Sequence, residues 1–575
     1  MFRVVREFRV SDVPADLAAA LAVTFMAIPQ GIAYAMIAGL PPMVGLYAAT
    51  FPAIAGSLFR SSRFVIAGPT NAVSLIVGGA IAAHSLDLGL TPTQVAVELA
   101  LMVGAFQLAA GVFKLGSLVD FISAPVVLGY IAGAGVLIAA GQLGNLTGTQ
   151  SGGSNLPEKL WIWSQGLGDL QWLPLVVGLG TTLALLGLRR LDRRIPAALL
   201  VLAVATAANA LFDLHGAGLT EVSDLAPVQS GLPPLSLPGL PHMELLSLAA
   251  AVTVLSLVES TAVARSIADR AGDTLDSSRE FVGQGFSNLA AALCGGYPVS
   301  GSLSRSNLNF QLGARSRLAG VFAGLLVLVA LLVADTAVRR IPIAALAGLL
   351  LVVAADLVDV ERIRKVLRGG IGDVAAFLAT LLGTWTLPLD WAIYLGVAIS
   401  IALFVRRASL LIVSELAVDD TGRLREQPVG EGSRCDAVRV LHIEGALFFG
   451  AAEELRQALT TAASRDGTRS VVVRLKRARG LDATAMAVLE SVAVSMRARG
   501  QLLLLVGMRP AAMARLRDSG AAEVIGEDNL FPSRRGWFVA LDAAVRRGLD
   551  HASPHDCEDC PLERYLALRG ARGVG

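Results

Sequence analysis

Arg305 stands next to last in the stretch GGYPVSGSLSRS (295–306), in which Pro298 is followed by Ser300, Ser302 and Ser304. An earlier stretch, VIAGPTNAVSL (65–75), is built the same way, with Pro69 followed by Thr70, Asn71 and Ala72. A proline followed by hydroxyl residues suits an extended segment that turns into a half-helix. The unpaired N–H groups at such a helix start carry roughly half a positive charge and form an anion site. Thr70, Asn71 and Ala72 would stand at one helix start, and Ser302, Leu303, Ser304 and Arg305 at the other. If the two starts face each other, both positive ends converge, and the Arg305 guanidinium adds a full charge with a fork matched to oxyanions. The competing reading is a pair of kinked helices whose serines bond internally and whose arginine reaches for the membrane surface.

Two further polar groups sit in apolar surroundings. In LLSLAAAVTVLSLVESTAVARSIADR, Glu259 follows a run with no charge, and an ionisable group at that depth marks function by default. A structural pairing with Arg265 or Arg305 is the alternative. Gln30, in AIPQGIAYA, could offer its amide to a ligand or hold two helices together. Near the C-terminus, HASPHDCEDC brings His551, His555, Cys557 and Cys560 within ten residues. These could hold zinc, although their spacing matches no standard finger and an acidic tail without metal is the favoured reading. No nucleophile–base pair, nucleotide loop or strong metal motif supports an enzyme, and no cofactor is expected.

Such groups need elements to carry them through a membrane. With 54% hydrophobic residues and a mean hydropathy of +0.63, the chain reads as a polytopic membrane protein. Its formal charge of +2 offers nothing to nucleic acid. The first apolar stretch is too long for a signal-peptide core, and many more follow. At about 20 residues per crossing, fewer for half-crossings, helices fall near 15–38, 42–58, 70–83, 94–112, 118–140, 173–188, 195–212, 244–263, 278–294, 302–313, 317–334, 342–357, 371–386 and 390–407. Loops after the even-numbered segments hold Arg60, Arg63, Lys114, Arg189, Arg190, Arg193, Arg194, Arg265, Arg270, Arg315, Arg317, Arg362, Arg364, Lys365 and Arg368; the other loops hold only Lys159, Arg339 and Arg340. That asymmetry puts both termini in the cytoplasm of a multi-pass protein of the cell's inner membrane. The two interrupted segments are the third of the first seven and the third of the second seven. Broken segments at matching places point to inverted repeats with a site at the bilayer midplane.

Beyond the last span, charge is dense over 409–435, read as a linker after a transport domain of 1–408. Strand-like VRVLHIEGALFFG, SVVVRLKRA and QLLLLVGM alternate with helical stretches at 451–464, 483–499 and 510–519, which implies an α/β domain over 436–548 with a tail at 549–575.

These residues together carry a family resemblance. AIPQGIAYAMIAGLPPMVGLYAA, AGPTNA, VESTAVARSIAD and SGSLSRS, in that order and followed by an α/β tail, resemble the SulP family of anion transporters with a C-terminal STAS domain. The resemblance implies a membrane all-α fold of fourteen segments, with a 7+7 inverted repeat forming core and gate domains. It also implies a small-anion site between the third and tenth helices and elevator-like motion in a homodimer. Arg305 matches the basic residue at the start of the tenth helix, and Glu259 the eighth-helix acid shared by proton-coupled sulfate carriers. Sodium-dependent bicarbonate members look different there. The expectation is a secondary active transporter, with sulfate favoured and proton symport through Glu259. Dicarboxylate or bicarbonate carriage and an uncoupled anion channel or exchanger are the alternatives. In the tail, KRARGLDATAMAVLESV resembles the STAS segment in which Asp482 caps a helix and Thr484 matches a phosphorylated hydroxyl that a cytoplasmic regulatory protein would read; the plain N-terminal turn of a helix is the favoured reading. Ala483 and Ala485 depart from that pattern.

Overall fold

The computed structural model describes residues 9–117, 123–150, 152–153, 155–191, 196–225, 232–235, 239, 241–333, 335–419, 421, 423–427, 435–533, 538–552 and 560–571. The chain divides into two compact units, Met1–Ile401 and Ala402–Gly575. In the first unit, eight helices are long and apolar enough to cross a membrane: α1 (Val10–Ile37), α2 (Pro42–Phe59), α4 (Pro92–Val112), α5 (Ala124–Thr147), α6 (Trp172–Leu191), α8 (Met243–Ala271), α12 (Ile343–Leu367) and α14 (Leu389–Ser409). Four shorter apolar helices join them: α3 (Asn71–His84), α7 (Ala197–Phe212), α11 (Leu318–Val333) and α13 (Ile371–Thr386). With the polar helices α9 (Ser277–Leu293) and α10 (Leu303–Gln311), they make fourteen segments in the order read from hydropathy. Local chemistry sets several starts. Pro92 occupies the first turn of α4, where no N–H is needed, and Thr91 and Gln94 form a reciprocal capping box.

Packing sorts these helices into two bundles. One contains α1–α4 and α8–α11; in the other α5–α7 pack with α12 and α13. α14 lies against α5 and α13, where a Cβ on Gly396 would stand 2.4 Å from Val126 Cγ1 and 3.3 Å from Thr380 Oγ1. Each bundle thus takes the same positions from both runs of seven. In the first bundle, α4 and α9 approach so closely that a Cβ on Gly104 would fall 2.8 Å from the Leu289 nitrogen, and one on Gly285 2.7 Å from the Leu108 nitrogen. Small residues at such seams let polar side chains of one helix reach the next.

The second unit is a sheet between two helical layers. Its strands are β3 (Ile412–Val418), β4 (Leu424–Gln427), β5 (Val438–Ala446), β6 (Ser470–Arg474), β7 (Ala478–Arg479), β8 (Leu502–Met508) and β9 (Leu530–Pro532), numbered after a membrane pair β1 (Ala67–Gly68) and β2 (Ser300–Gly301). The order is β4-β3-β5-β6-β8-β9, with β7 pairing β5; β5, β6, β8 and β9 run parallel, and β3 and β4 antiparallel. Side chains alternate as the pleat requires. Val471, Val473, Leu503 and Leu505 pack toward α15 (Ala452–Ala463), α16 (Ala483–Ala498) and α17 (Pro510–Asp518). Val472, Leu504 and Val506 pack toward α18 (Val539–Ala552) and α19 (Pro561–Ala571).

Two sequence-based boundaries need correction. The stretch 409–435 is no mere linker, because it supplies β3 and β4. Its charge hid them: Glu415 is buried on β3 against Arg439 on β5, Oε1 to Nη1 2.9 Å. Within 549–575, the described residues 560–571 likewise belong to the fold, since Cys560, Leu562 and Tyr565 are buried in the second helical layer. Of the suggested zinc ligands, His551 Nε2 lies 2.9 Å from the Gly500 carbonyl, Cys560 is buried, and His555 and Cys557 fall outside the described residues.

Removing one partner of a buried ion pair strands the other's charge, whereas replacing both with apolar residues is often tolerated. Arg439→Leu is therefore expected to destabilise the second unit by about 3 kcal/mol. Adding Glu415→Leu should recover most of that loss in urea titrations of residues 402–575.

Candidate functional site

At the broken segments, backbone groups at membrane depth must find partners within the protein. The first set comes from β1 pairing antiparallel with β2, Ala67 opposite Gly301 and Gly68 opposite Ser300. The strands run in opposite directions, so α3 and α10, which follow them, also leave in opposite directions. The Ser302 N–H donates to the Ile66 carbonyl at 3.0 Å. Side chains supply the rest. From α10, Ser306 Oγ accepts the Ile66 N–H at 3.0 Å, and Asn309 Nδ2 donates to the Phe64 carbonyl at 3.0 Å.

On the other strand, Asn288 of α9 acts as a surrogate strand. Its Oδ1 accepts the Val299 N–H at 2.7 Å and its Nδ2 donates to the Val299 carbonyl at 3.1 Å, which also receives Gln284 Nε2 at 2.7 Å. The network continues in both directions. Asn288 Nδ2 donates to Gln107 Oε1 at 2.7 Å, Gln107 Nε2 to Ser256 Oγ at 2.5 Å, and Ser300 Oγ to the Ser256 carbonyl at 3.1 Å. Gln284 Oε1 accepts from Arg60, which forms a fully buried pair with Glu280 at 3.2 Å.

This frame brings the sequence-predicted residues together. Thr70 and Ser302 are the N-cap residues of α3 and α10, and neither side chain caps its own helix. The helical ladders begin at Ser74 N–H to Thr70 and Ser306 N–H to Ser302. The first three N–H groups of each helix therefore have no ladder partner. Asn71 Oδ1 takes the Ala72 N–H at 2.7 Å. Arg305 is buried and donates to the Pro69 carbonyl, and its Nε has no partner among the described residues. A Cβ on Gly68 would stand 2.5 Å from Arg305 Nη1, so only glycine leaves room for the guanidinium. Leu303 and Ser304 are exposed beside it. Ser304 Oγ lies 3.4 Å from both Gln30 Nε2 and Ser302 Oγ.

Glu259, on α8, accepts the Thr70 hydroxyl at 3.1 Å through Oε2. It makes no direct ion pair with Arg305. The two charges meet instead through one dipeptide, Pro69 giving its carbonyl to the arginine and Thr70 its hydroxyl to the carboxylate. Tyr297, its hydroxyl 2.9 Å from Ser74 Oγ, ties the segment before β2 to α3.

Sequence reasoning missed the supporting residues: Asn288, Gln284, Gln107, Ser306, Asn309 and Tyr297. A signal existed. Gln284, Ser287 and Asn288 lie at i, i+3 and i+4 on α9, a polar stripe on a membrane segment. Thr484 belongs to the second unit and is exposed in the first turn of α16, which Asp482 caps by accepting the Ala485 N–H at 2.9 Å.

Asn288→Ala should leave the Val299 amide without its partner, at a cost of about 1–3 kcal/mol, while the carbonyl keeps Gln284. The purified variant is expected to melt earlier than wild type, whereas Asn288→Gln, which keeps the amide, should recover part of the loss.

Comparison with known proteins bears on the whole chain. The sulfate permease family model matches residues 14–380, and the STAS domain model matches residues 434–536. A "Probable sulfate transporter" of Mycobacterium tuberculosis is 28% identical over 541 residues, covering 92% of this chain and 95% of its own. The "Sodium-independent sulfate anion transporter" of Bos taurus is 29% identical over 530 residues, covering 86% of this chain and 83% of its own. Among solved structures, SLC26A9 superposes with a TM-score of 0.85 at 19% identity, covering 95% of this chain and 92% of that one. The transmembrane domain of the cyanobacterial bicarbonate transporter BicA gives 0.60 at 22% identity, covering 68% of this chain and 98% of that one. The fold is shared with these two structures, and the matched motifs span both units. The chain belongs to the sulfate permease family and carries a STAS domain after its membrane unit.

Proposed function

We propose that this protein is a secondary active transporter of a small oxyanion, sulfate foremost, and that it couples anion entry to proton entry. The observation that carries the reading is the Pro69–Thr70 dipeptide, held between the guanidinium of Arg305 and the carboxylate of Glu259 at the start of α3. The names of its relatives as sulfate transporters support the choice of anion. Gln30, Thr70, Asn71, Ala72, Ser302, Leu303, Ser304 and Arg305 form the anion site in this reading, and Glu259 carries the proton. The mechanism needs only charge. A divalent anion about 5 Å from an ionised Glu259 is repelled by roughly 3 kcal/mol per unit charge at an effective dielectric near 20. Protonation removes that repulsion, so anion and proton bind together.

The two-bundle packing supports alternating access. The bundle of α1–α4 and α8–α11 acts as a moving core that carries the site, and the other bundle as a gate. The matching places of α3 and α10, with their antiparallel strands, support a 7+7 inverted repeat. Cytoplasmic termini in the inner membrane follow from the arginine and lysine asymmetry of the loops. A homodimer is part of the same reading, and exposed Thr484 is its candidate phosphorylation site for a cytoplasmic partner.

Radiolabelled sulfate uptake into proteoliposomes, with a panel of competing anions at two pH values, tests the reading. Wild type should take up sulfate faster when the sulfate side is acidified, because a protonated Glu259 favours the anion. Glu259→Gln is fixed in the neutral form and should lose this pH dependence; identical pH profiles for the two proteins would falsify the coupling role. Arg305→Ala should weaken sulfate binding about tenfold or more.

A further inference from the structure

At one end of the first bundle lies a cavity of about 880 Å³ away from the anion site, lined by Arg9, Arg63, Arg315 and Arg317 together with Asp12 and Asp273. The start of α1, the ends of α2 and α8, and the α10–α11 turn meet there. It therefore sits where membrane spans end.

Two buried carboxylates hold its walls. Asp16 Oδ1 accepts the N–H groups of Arg315 and Ser316 at 2.7 and 3.1 Å, and its Oδ2 accepts the Ser316 hydroxyl at 2.5 Å. Glu280 Oε2 accepts the N–H groups of Ser61 and Ser62 at 3.2 and 3.1 Å. Arg317 joins the two loops by donating to the Ser61 carbonyl at 2.9 Å. A carboxylate that takes successive backbone amides fixes the loop, so the arginines are preorganised rather than trailing in water.

Their charges are only partly matched. Arg63 is closed by a bidentate pair with Asp273, at 2.6 to 2.9 Å. Arg315 makes one side-chain contact of 3.3 Å to Asp12 and is 61% exposed, so most of its fork is open. Arg9 is exposed, and its side chain has no partner among the described residues. Four arginines face Asp12 and Asp273 across the cavity, with Asp16 beneath the loop and Glu280 neutralised by Arg60, leaving one positive charge. A phosphodiester monoanion has the matching charge and the oxygen geometry that an arginine fork reads.

We propose that this cavity binds a phosphodiester or phosphate anion, presented by the headgroup of an acidic phospholipid where the spans meet the membrane surface. Arg9 and Arg315 supply the open donors, and Arg63 and Arg317 the walls.

The full chain, purified in mild detergent, is titrated with short-chain phosphatidylglycerol, short-chain phosphatidylcholine or inorganic phosphate while its melting temperature is followed. The proteins compared are wild type, Arg9→Gln/Arg315→Gln, and a control, Arg362→Gln, whose side chain is 73% exposed on α12. Phosphatidylglycerol is expected to stabilise wild type and control more than phosphatidylcholine does, with apparent affinity falling about tenfold or more in the double variant. Equal protection of wild type by inorganic phosphate, lost in the double variant, would keep the site and assign it to the free anion. If the double variant melts early without ligand, Arg9→Gln alone, at an exposed side chain, takes its place. Equal protection of wild type and variant, or none of wild type by either phosphate compound, overturns the proposal.

Discussion

The structure depends on finding hydrogen-bond partners for backbone that leaves the helix inside a membrane. An unpaired amide or carbonyl there costs several kcal/mol, so the two interrupted segments can exist only where something else completes them. A two-residue strand pair completes part, and Asn288, Gln284, Ser306 and Asn309 complete the rest. Because these side chains come from helices packed at near backbone contact, the glycines at the α4–α9 seam belong to the same solution. Once the backbone is held, α3 and α10 can start beside the paired strands, and the Arg305 guanidinium is buried there with no carboxylate paired directly to it among the described residues.

Carboxylates buried in this chain are set to different tasks by what each one meets. Glu280 and Asp16 accept backbone amides and hold loops; Glu280 also neutralises Arg60. Glu415 pairs with an arginine across two strands of the second unit. Glu259 meets side-chain hydroxyls, accepting that of Thr70 with that of Ser300 also beside it, and is half-buried. A hydroxyl can turn to donate or to accept, whereas a backbone amide is a fixed donor. The kind of partner therefore separates Glu259, which meets hydroxyls, from Glu280 and Asp16, which hold backbone amides.

Much of the architecture was legible because hydropathy reports a long, one-dimensional property. Fourteen apolar or interrupted stretches appear in the sequence and in the fold in the same order. The alternating strands of the second unit were legible where both faces are apolar, as in SVVVR and LLLLVGM, and illegible where a buried ion pair replaced apolar residues, as in β3. At the candidate site, Pro69, Thr70, Glu259 and Arg305 stood out as polar or helix-breaking residues in apolar runs. Asn288 and Gln284 did not, because amides on a helix already rich in serine and glycine carry no charge to draw notice.

The sequence by itself determined the number of membrane segments, the two places where they break, and the positive groups offered at those breaks, because hydropathy, proline and fixed charge act locally along the chain. Only the tertiary structure decided that Arg305 leans on the carbonyl of Pro69 while Glu259 reaches Thr70 without touching the arginine. It also decided that Asn288, on the preceding helix, completes the strand at Val299. The two contacts of the Pro69–Thr70 dipeptide join residues 236 and 189 positions apart. They arise from the crossing of helices, and no local pattern records which side chains a crossing will bring within hydrogen-bond reach.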